Sequence, residues 1–185
     1  MNIRKIHHTY QNFELSIHNI CLPSSGIVGL VGKNGAGKTT LMKCLSNPDF
    51  CNGICEIEDF QYSEVLFIPS DLYAYEFLTV REFVALLIKY NVSDLLELDV
   101  IRLLKLEDKA DVLISQLSQG MQKKLTLAPI FIRKNKLIIL DEPFNSIDLE
   151  YTYLLKQALT DIAKTSTILI SLHIIDSLQG ICESI

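Results

Sequence analysis

Between residues 13 and 20 apolar side chains (Phe13, Leu15, Ile17) alternate with polar ones, the period of a strand with one face buried. Pro23, Ser24, Ser25 and Gly26 make a turn. The run Ile27-Val28-Gly29-Leu30-Val31 then stops at a glycine-rich loop, as a fully buried parallel strand does. Residues 39–45 follow as a helix that ends near Asn47 and Pro48. Between Gly53 and Pro69 the pattern is short and strand-like, with Ile54, Glu56 and Ile57 before Asp59 and Val65-Leu66-Phe67-Ile68 after it. From residue 79 to 134 apolar residues recur at helical spacing, first Val80, Phe83, Val84 and Leu87, then Leu95, Leu98, Ile101 and Leu104. Residues 137–140 and 167–171 return to buried-strand character on either side of a helix through Leu154, Leu155, Ala158 and Ile162. The alternation predicts an α/β fold with a mostly parallel sheet, a small antiparallel β region and a helical insertion. A single domain is expected over residues 1–185, with 1–77 and 135–185 as its core and 78–134 as a helical subdomain.

Composition narrows the classes. With 185 residues, 49% of them hydrophobic, the chain can bury a core of its own. Its apolar runs are far shorter than the roughly 20 residues of a membrane-spanning helix. The first residues, Met1-Asn2-Ile3-Arg4-Lys5, lead into His7, His8, Gln11 and Asn12 and carry no secretory pattern. A net charge of -5 argues against wrapping a nucleic-acid backbone, so no nucleic-acid partner is expected. Five scattered cysteines, Cys21, Cys44, Cys51, Cys55 and Cys182, fit reduced thiols rather than a disulfide framework. Cys51 and Cys55 could share a metal, but no second Cys or His pair stands at zinc spacing nearby, and they read as packed thiols.

Gly32-Lys33-Asn34-Gly35-Ala36-Gly37-Lys38-Thr39 fits G-x-x-x-x-G-K-[ST] between a predicted buried strand and a predicted helix, the context that phosphate-binding motif requires. Glycines let backbone amides converge on phosphate oxygens, and the following helix, opened by Thr39 and Thr40, adds its unpaired N–H groups. Lys38 is expected against the β and γ phosphates of a nucleotide, and Thr39 on Mg2+. Leu137-Ile138-Ile139-Leu140-Asp141-Glu142-Pro143 puts two carboxylates at the carboxyl end of a buried strand, where ligands of open α/β sheets bind. Asp141 suits the Mg2+ shell, directly or through water. Glu142 suits the general base or polariser of the attacking water.

Leu117-Ser118-Gln119-Gly120-Met121-Gln122 resembles the signature segment of the ABC ATPases, commonly Leu-Ser-Gly-Gly-Gln, and lies where that family has it, between the helical insertion and the acidic strand. Ser118 also reads as a plain helix cap. Asn145-Ser146-Ile147-Asp148 looks like the family's D-loop, His173 like its switch histidine and Tyr10 like its adenine-stacking aromatic. The resemblance covers nearly the whole chain. It implies a cytoplasmic ATPase on the inner face of the cell membrane, bound to a membrane-spanning permease and working as a homodimer or as a heterodimer with a second ATPase subunit. In that arrangement Ser118 and Gly120 address the γ phosphate of the partner's ATP and His173 hydrogen-bonds the same group.

Departures are also visible. Phe67-Ile68-Pro69-Ser70-Asp71-Leu72 has no Gln where the family carries its lid residue; Ser70 takes the place, next to Asp71. The signature has Gln119 and Met121 for Gly and Gln, a variant that looks most like exporters of drugs, peptides or polysaccharide. The sequence stops at Ile185, where family members continue with further strands, so it is either short or incomplete. Two other classes compete. A soluble ABC ATPase acting on nucleic acid usually carries a second cassette, a coiled coil or a basic arm, and none is visible. A catalytically weak regulatory module is suggested by Ser70 and the early stop.

Overall fold

The computed structural model describes residues 1–10, 13–58, 61–70 and 75–172. They fall into two compact units, one built from 1–67, 135–142 and the described residues from 156 onward, the other from 68–134 and 143–155. Among the described residues no helix is long and apolar enough to cross a membrane.

The first unit opens with β1 (Asn2–Tyr10) and β2 (Phe13–Cys21), an antiparallel hairpin whose register pairs Tyr10 with Phe13. The alternation of Phe13, Leu15 and Ile17 is realised in β2, where those three side chains are the half-buried ones. The sequence pattern had not marked β1. Its partner shifts register between Ile3 and Lys5, so the buried positions run Ile3, Ile6, His8 and break the period of two. Strand β3 (Gly26–Val31) leads through the glycine loop into α1 (Lys38–Ser46), and β4 (Gly53–Glu58) returns to pair with β1. Next comes β5 (Val65–Ile68).

The helical unit follows. In it α2 (Val80–Tyr90) is closed by a capping box: Thr79 Oγ1 accepts the Glu82 amide at 3.2 Å and Glu82 Oε2 accepts the Thr79 amide at 2.8 Å. The predicted stripe holds in part: Val80, Phe83 and Val84 of α2 pack with Val100 and Ile101 of α3 (Glu97–Leu103) and with Leu104 in one buried cluster, whereas Leu95 and Leu98 are exposed. Helix α4 (Gln119–Thr126), capped by Ser118, and the single turn α5 (Pro129–Ile132) complete that cluster through Leu125, Ala128 and Ile132. Lys123 of α4 is 5% exposed and donates to the Ser70 carbonyl at 2.7 Å.

Two further strands, β6 (Leu137–Asp141) and β7 (Thr167–Leu172), are buried at every position, as apolar strands inside a parallel sheet must be. Helix α6 (Leu149–Ile162) precedes β7. The parallel sheet runs β3-β7-β6-β5, and a separate antiparallel sheet runs β2-β1-β4. Leu41, Met42 and Leu45 of α1 bury against Leu137, Ile139 and Leu169 from the parallel strands. In register, β7 carries Leu172 beside Val31 and Ser171 beside Asp141. The glycine loop and the acidic pair therefore leave the sheet at the same edge.

Candidate functional site

At that edge the chain turns sharply after Val31. Gly35 and Gly37 hold φ of 79° and 93°, the left-handed region that costs a side chain dearly. At Gly37 an added Cβ would also fall 2.7 Å from the Phe13 ring. Gly37 caps α1 without a side-chain bond, so the first amides of the helix stay available to a ligand above the loop. The Ala36 amide donates to the Lys33 carbonyl at 3.2 Å and tightens the turn. Lys38 folds back over the loop: its Nζ donates to the carbonyls of Gly32 at 2.7 Å and Lys33 at 3.2 Å.

Behind the loop, Thr39 Oγ1 donates to Asp141 Oδ2 at 2.8 Å across 102 residues of sequence. Asp141 is only 4% exposed, and its other oxygen accepts the Ser171 hydroxyl at 2.5 Å. Ser171 Oγ in turn accepts the Glu142 amide at 3.0 Å. That bond holds Glu142 at φ 51°, a conformation that costs a non-glycine residue about 1–3 kcal/mol and is retained where the surroundings enforce it. The resulting bend turns Glu142 out of β6 and into the wall of a cavity of about 930 Å³. Asn34, Gly35, Gly37, Lys38, Thr39 and Thr40 line the same cavity. Tyr10, 64% exposed, stands in its wall beside Phe13, its partner in the hairpin register.

Sequence reasoning missed part of this wall. Phe13, His8, Lys43, Phe50 and Asn52 also line the cavity. The hairpin that pairs Tyr10 with Phe13 was the available signal for Phe13, whereas nothing in the pattern marked Phe50, which follows Pro48 in a short turn. His8 stacks on Phe50 with centroids 5.2 Å apart and planes 9° apart. Ser171 was likewise missed as the hydroxyl that orients both acidic residues.

Ser118 and Gly120 belong to the helical unit. Ser118 Oγ accepts the Met121 amide at 3.3 Å, the ordinary cap of α4. Gly120 is required by contact, because a Cβ there would lie 2.5 Å from the Ser146 carbonyl oxygen. Ser146 has φ 64°, and Asp148 Oδ1 accepts the Tyr151 amide at 2.7 Å. A Lys124 hydrogen bond, and then that amide, hold the Asp148 carboxyl below its ordinary range. Tyr151 packs its ring under Lys124 at 4.7 Å, is 1% exposed, and burial raises its phenol. His173 and Asp71 lie outside the described residues.

A buried parallel sheet that presents a glycine loop, a helix start, a threonine hydroxyl and two carboxylates at one edge is a P-loop nucleotide-binding fold. A family model described as ABC transporter matches residues 15–145. The tungstate uptake system ATP-binding protein TupC of Peptoclostridium acidaminophilum is 31% identical over 182 residues, covering 92% of this chain and 85% of that protein. The Nod factor export ATP-binding protein I of Burkholderia orbicola (strain AU 1054) is 30% identical over 170 residues, 84% of this chain and 56% of that one. This chain thus spans little more than half the length of the Nod factor relative. The solved structure of an ATP-binding subunit of an ABC transporter superposes with a TM-score of 0.81 at 22% identity, over 98% of this chain and 82% of that one. The chain belongs to the ABC transporter family, as an ATP-binding subunit.

Proposed function

We propose that the chain binds ATP with Mg2+ in the cavity over the glycine loop, hydrolyses it, and drives a membrane-spanning permease by ATP-dependent closure of an ATPase dimer. The observation that carries this reading is the Thr39–Asp141 hydrogen bond, which joins the loop to the acidic strand end across 102 residues. The donors there are a hydroxyl and a carboxylate, all oxygen and with Asp141 buried, a set that fits a hard dication. Thr39 and Asp141 would hold Mg2+, which supplies neutralising charge to the phosphoryl group in transfer.

The protein's own groups account for the rest. Lys38 exchanges its two carbonyl partners for the β and γ phosphate oxygens, a stronger, charge-assisted contact. Amides of the loop and the first turn of α1 bind the remaining phosphate oxygens, and Tyr10 stacks on the adenine. Glu142, fixed at the cavity wall by its strained backbone, accepts the proton of the attacking water.

Ser118 and Gly120 serve the partner's ATP, and His173 the γ phosphate. The closed dimer, homomeric or with a second ATPase subunit, then depends on the triphosphate, and the subunit sits peripherally on the cytoplasmic face of the membrane. The relatives include one named for uptake and one for export, so the direction rests on the Gln119 and Met121 variant of the signature, from which we assign export.

Turnover of ATP by the wild-type chain and by Glu142→Gln tests the reading. Loss of about 10²–10⁴-fold in rate with ATP binding retained is the expected result for a general base. Equal turnover in the two would remove Glu142 from the mechanism.

A further inference from the structure

Among the described residues, three metal-binding side chains to which the nucleotide chemistry gives no role converge inside the first unit. They are His8 of β1, Cys44 of α1 and Cys51 of the turn after α1, with one donor atom of each within 4.8 Å of the others. His8 is 4% exposed, Cys44 is fully buried and Cys51 is half-buried. Cys55, on β4, lies beside this group: its thiol donates to the Cys44 carbonyl at 3.8 Å, and the Cys51 thiol donates to the carbonyls of His7 at 3.6 Å and Ile54 at 3.4 Å. In the sequence only Cys51 and Cys55 stand at zinc spacing; His8 and Cys44 come from separate segments, and the fold brings them to Cys51.

A tetrahedral zinc ion, with Zn–S about 2.3 Å and Zn–N about 2.0–2.1 Å, sets its ligand atoms roughly 3.5–3.8 Å apart. The 4.8 Å spread closes on that spacing by small side-chain rotations. We propose that Cys44, Cys51 and His8 form a site for a thiophilic divalent ion of the zinc class, with Cys55 the nearest sulfur for the fourth position. Two thiols each release a proton to solvent as their sulfurs bond the ion, so two thiolates and a neutral imidazole balance the dication.

His8 links this site to the cavity wall. Its Nδ1 accepts the Asn52 amide at 2.9 Å, which puts the ring proton on Nε2. A neutral imidazole cannot keep that bond and ligate a metal. If Nδ1 takes the ion, its lone pair is spent; if Nε2 takes it, the proton moves to Nδ1, where it faces the Asn52 N–H. Loading the site therefore breaks that bond and frees the backbone amide of Asn52, which keeps its two bonds to Thr9 and lines the cavity together with His8 and Phe50.

The test titrates the reduced, full-length chain with Co2+ and follows thiolate-to-cobalt charge-transfer absorption, then displaces the cobalt with zinc. One equivalent, weakened at least about tenfold in both His8→Gln and Cys51→Ser and unchanged in Cys21→Ser, is expected. Those two ligand positions are chosen because Cys44 lies in the core; thermal melts of both variants without metal establish that they fold. Zinc should raise the melting temperature of the wild type and not of Cys51→Ser. Absence of charge-transfer bands, or bands unmoved by both substitutions, would overturn the site. A backbone amide resonance of Asn52 that stays in place on zinc addition would overturn the step through His8. None of these readouts involves ATP, so failure of the nucleotide reading leaves the metal result standing.

Discussion

The sheet edge of the first unit and the capped helices of the second hold their key residues by opposite means. At the edge, Thr39, Asp141, Ser171 and Glu142 form one chain of hydrogen bonds between segments up to 102 residues apart. In the helical unit the helix caps span three residues: Thr79 with Glu82, Ser118 with Met121, Asp148 with Tyr151. A local cap needs only its own turn to form. A cross-strand network exists only once the parallel sheet is assembled, so its geometry depends on packing. The difference makes the edge rigid and demanding, and the helical unit dependent on its apolar cluster.

The largest expected effect probes that cluster. Phe83 is 4% exposed within it, and Phe83→Ala removes a buried ring at a cost of about 3–5 kcal/mol. Denaturant unfolding followed by hydrogen exchange should show the loss in α2 and α3 first. If protection falls equally at β6 and β7, the contrast between the regions fails, because the sheet would then share the helical unit's stability.

Ser171→Ala probes the edge. The hydroxyl donates to Asp141 and accepts from Glu142, so its loss leaves a buried carboxylate oxygen without that donor and a strained residue without its anchor. A cost of about 1–3 kcal/mol is expected. Turnover should fall more than ATP affinity does, since Glu142 loses its orientation while the glycine loop keeps its shape. A change in affinity alone would show that Ser171 supports binding and not the placement of Glu142.

These two variants mark what could be read from the sequence. Phe83 was legible because a helix repeats its buried face every three or four residues, and the loop from Gly32 to Thr39 because phosphate binding demands glycines at fixed spacing. Strand β1 was hidden by the register shift after Ile3, which breaks the period. Ser171 was hidden for a different reason: a serine in an apolar run has no local mark, and only the pairing of β7 with β6 brings it beside Asp141. Of the cluster of His8, Cys44 and Cys51, only Cys51, through its spacing from Cys55, had a local mark; the other two meet it through the fold. Ser118 carried two readings, and its observed bond to Met121 is the structural one.

The smallest expected effect lies in the pH dependence of the loop that carries Asp148. Lys124 and the Tyr151 amide hold the Asp148 carboxyl below its unfolded value of 3.8, so the folded state favours the charged form. The sign follows: this contribution is present above about pH 4 and is lost as pH falls through the depressed folded value, because protonation then comes easier to the unfolded chain. Asp148 is more than half exposed at its side chain, so solvent screens the pair and the gain is slight. Asp148→Asn keeps an oxygen for the Tyr151 amide and removes the charge that faces Lys124. It should leave stability nearly unchanged at pH 7 and flatten its fall below about pH 4, measured by denaturant midpoints. An unaltered slope would mean that the cap, which the amide oxygen preserves, and not the ion pair, sets the contribution of this loop. The comparison would then sharpen: the helical unit would rest on apolar packing and neutral caps, while charge held by geometry would belong to the sheet edge.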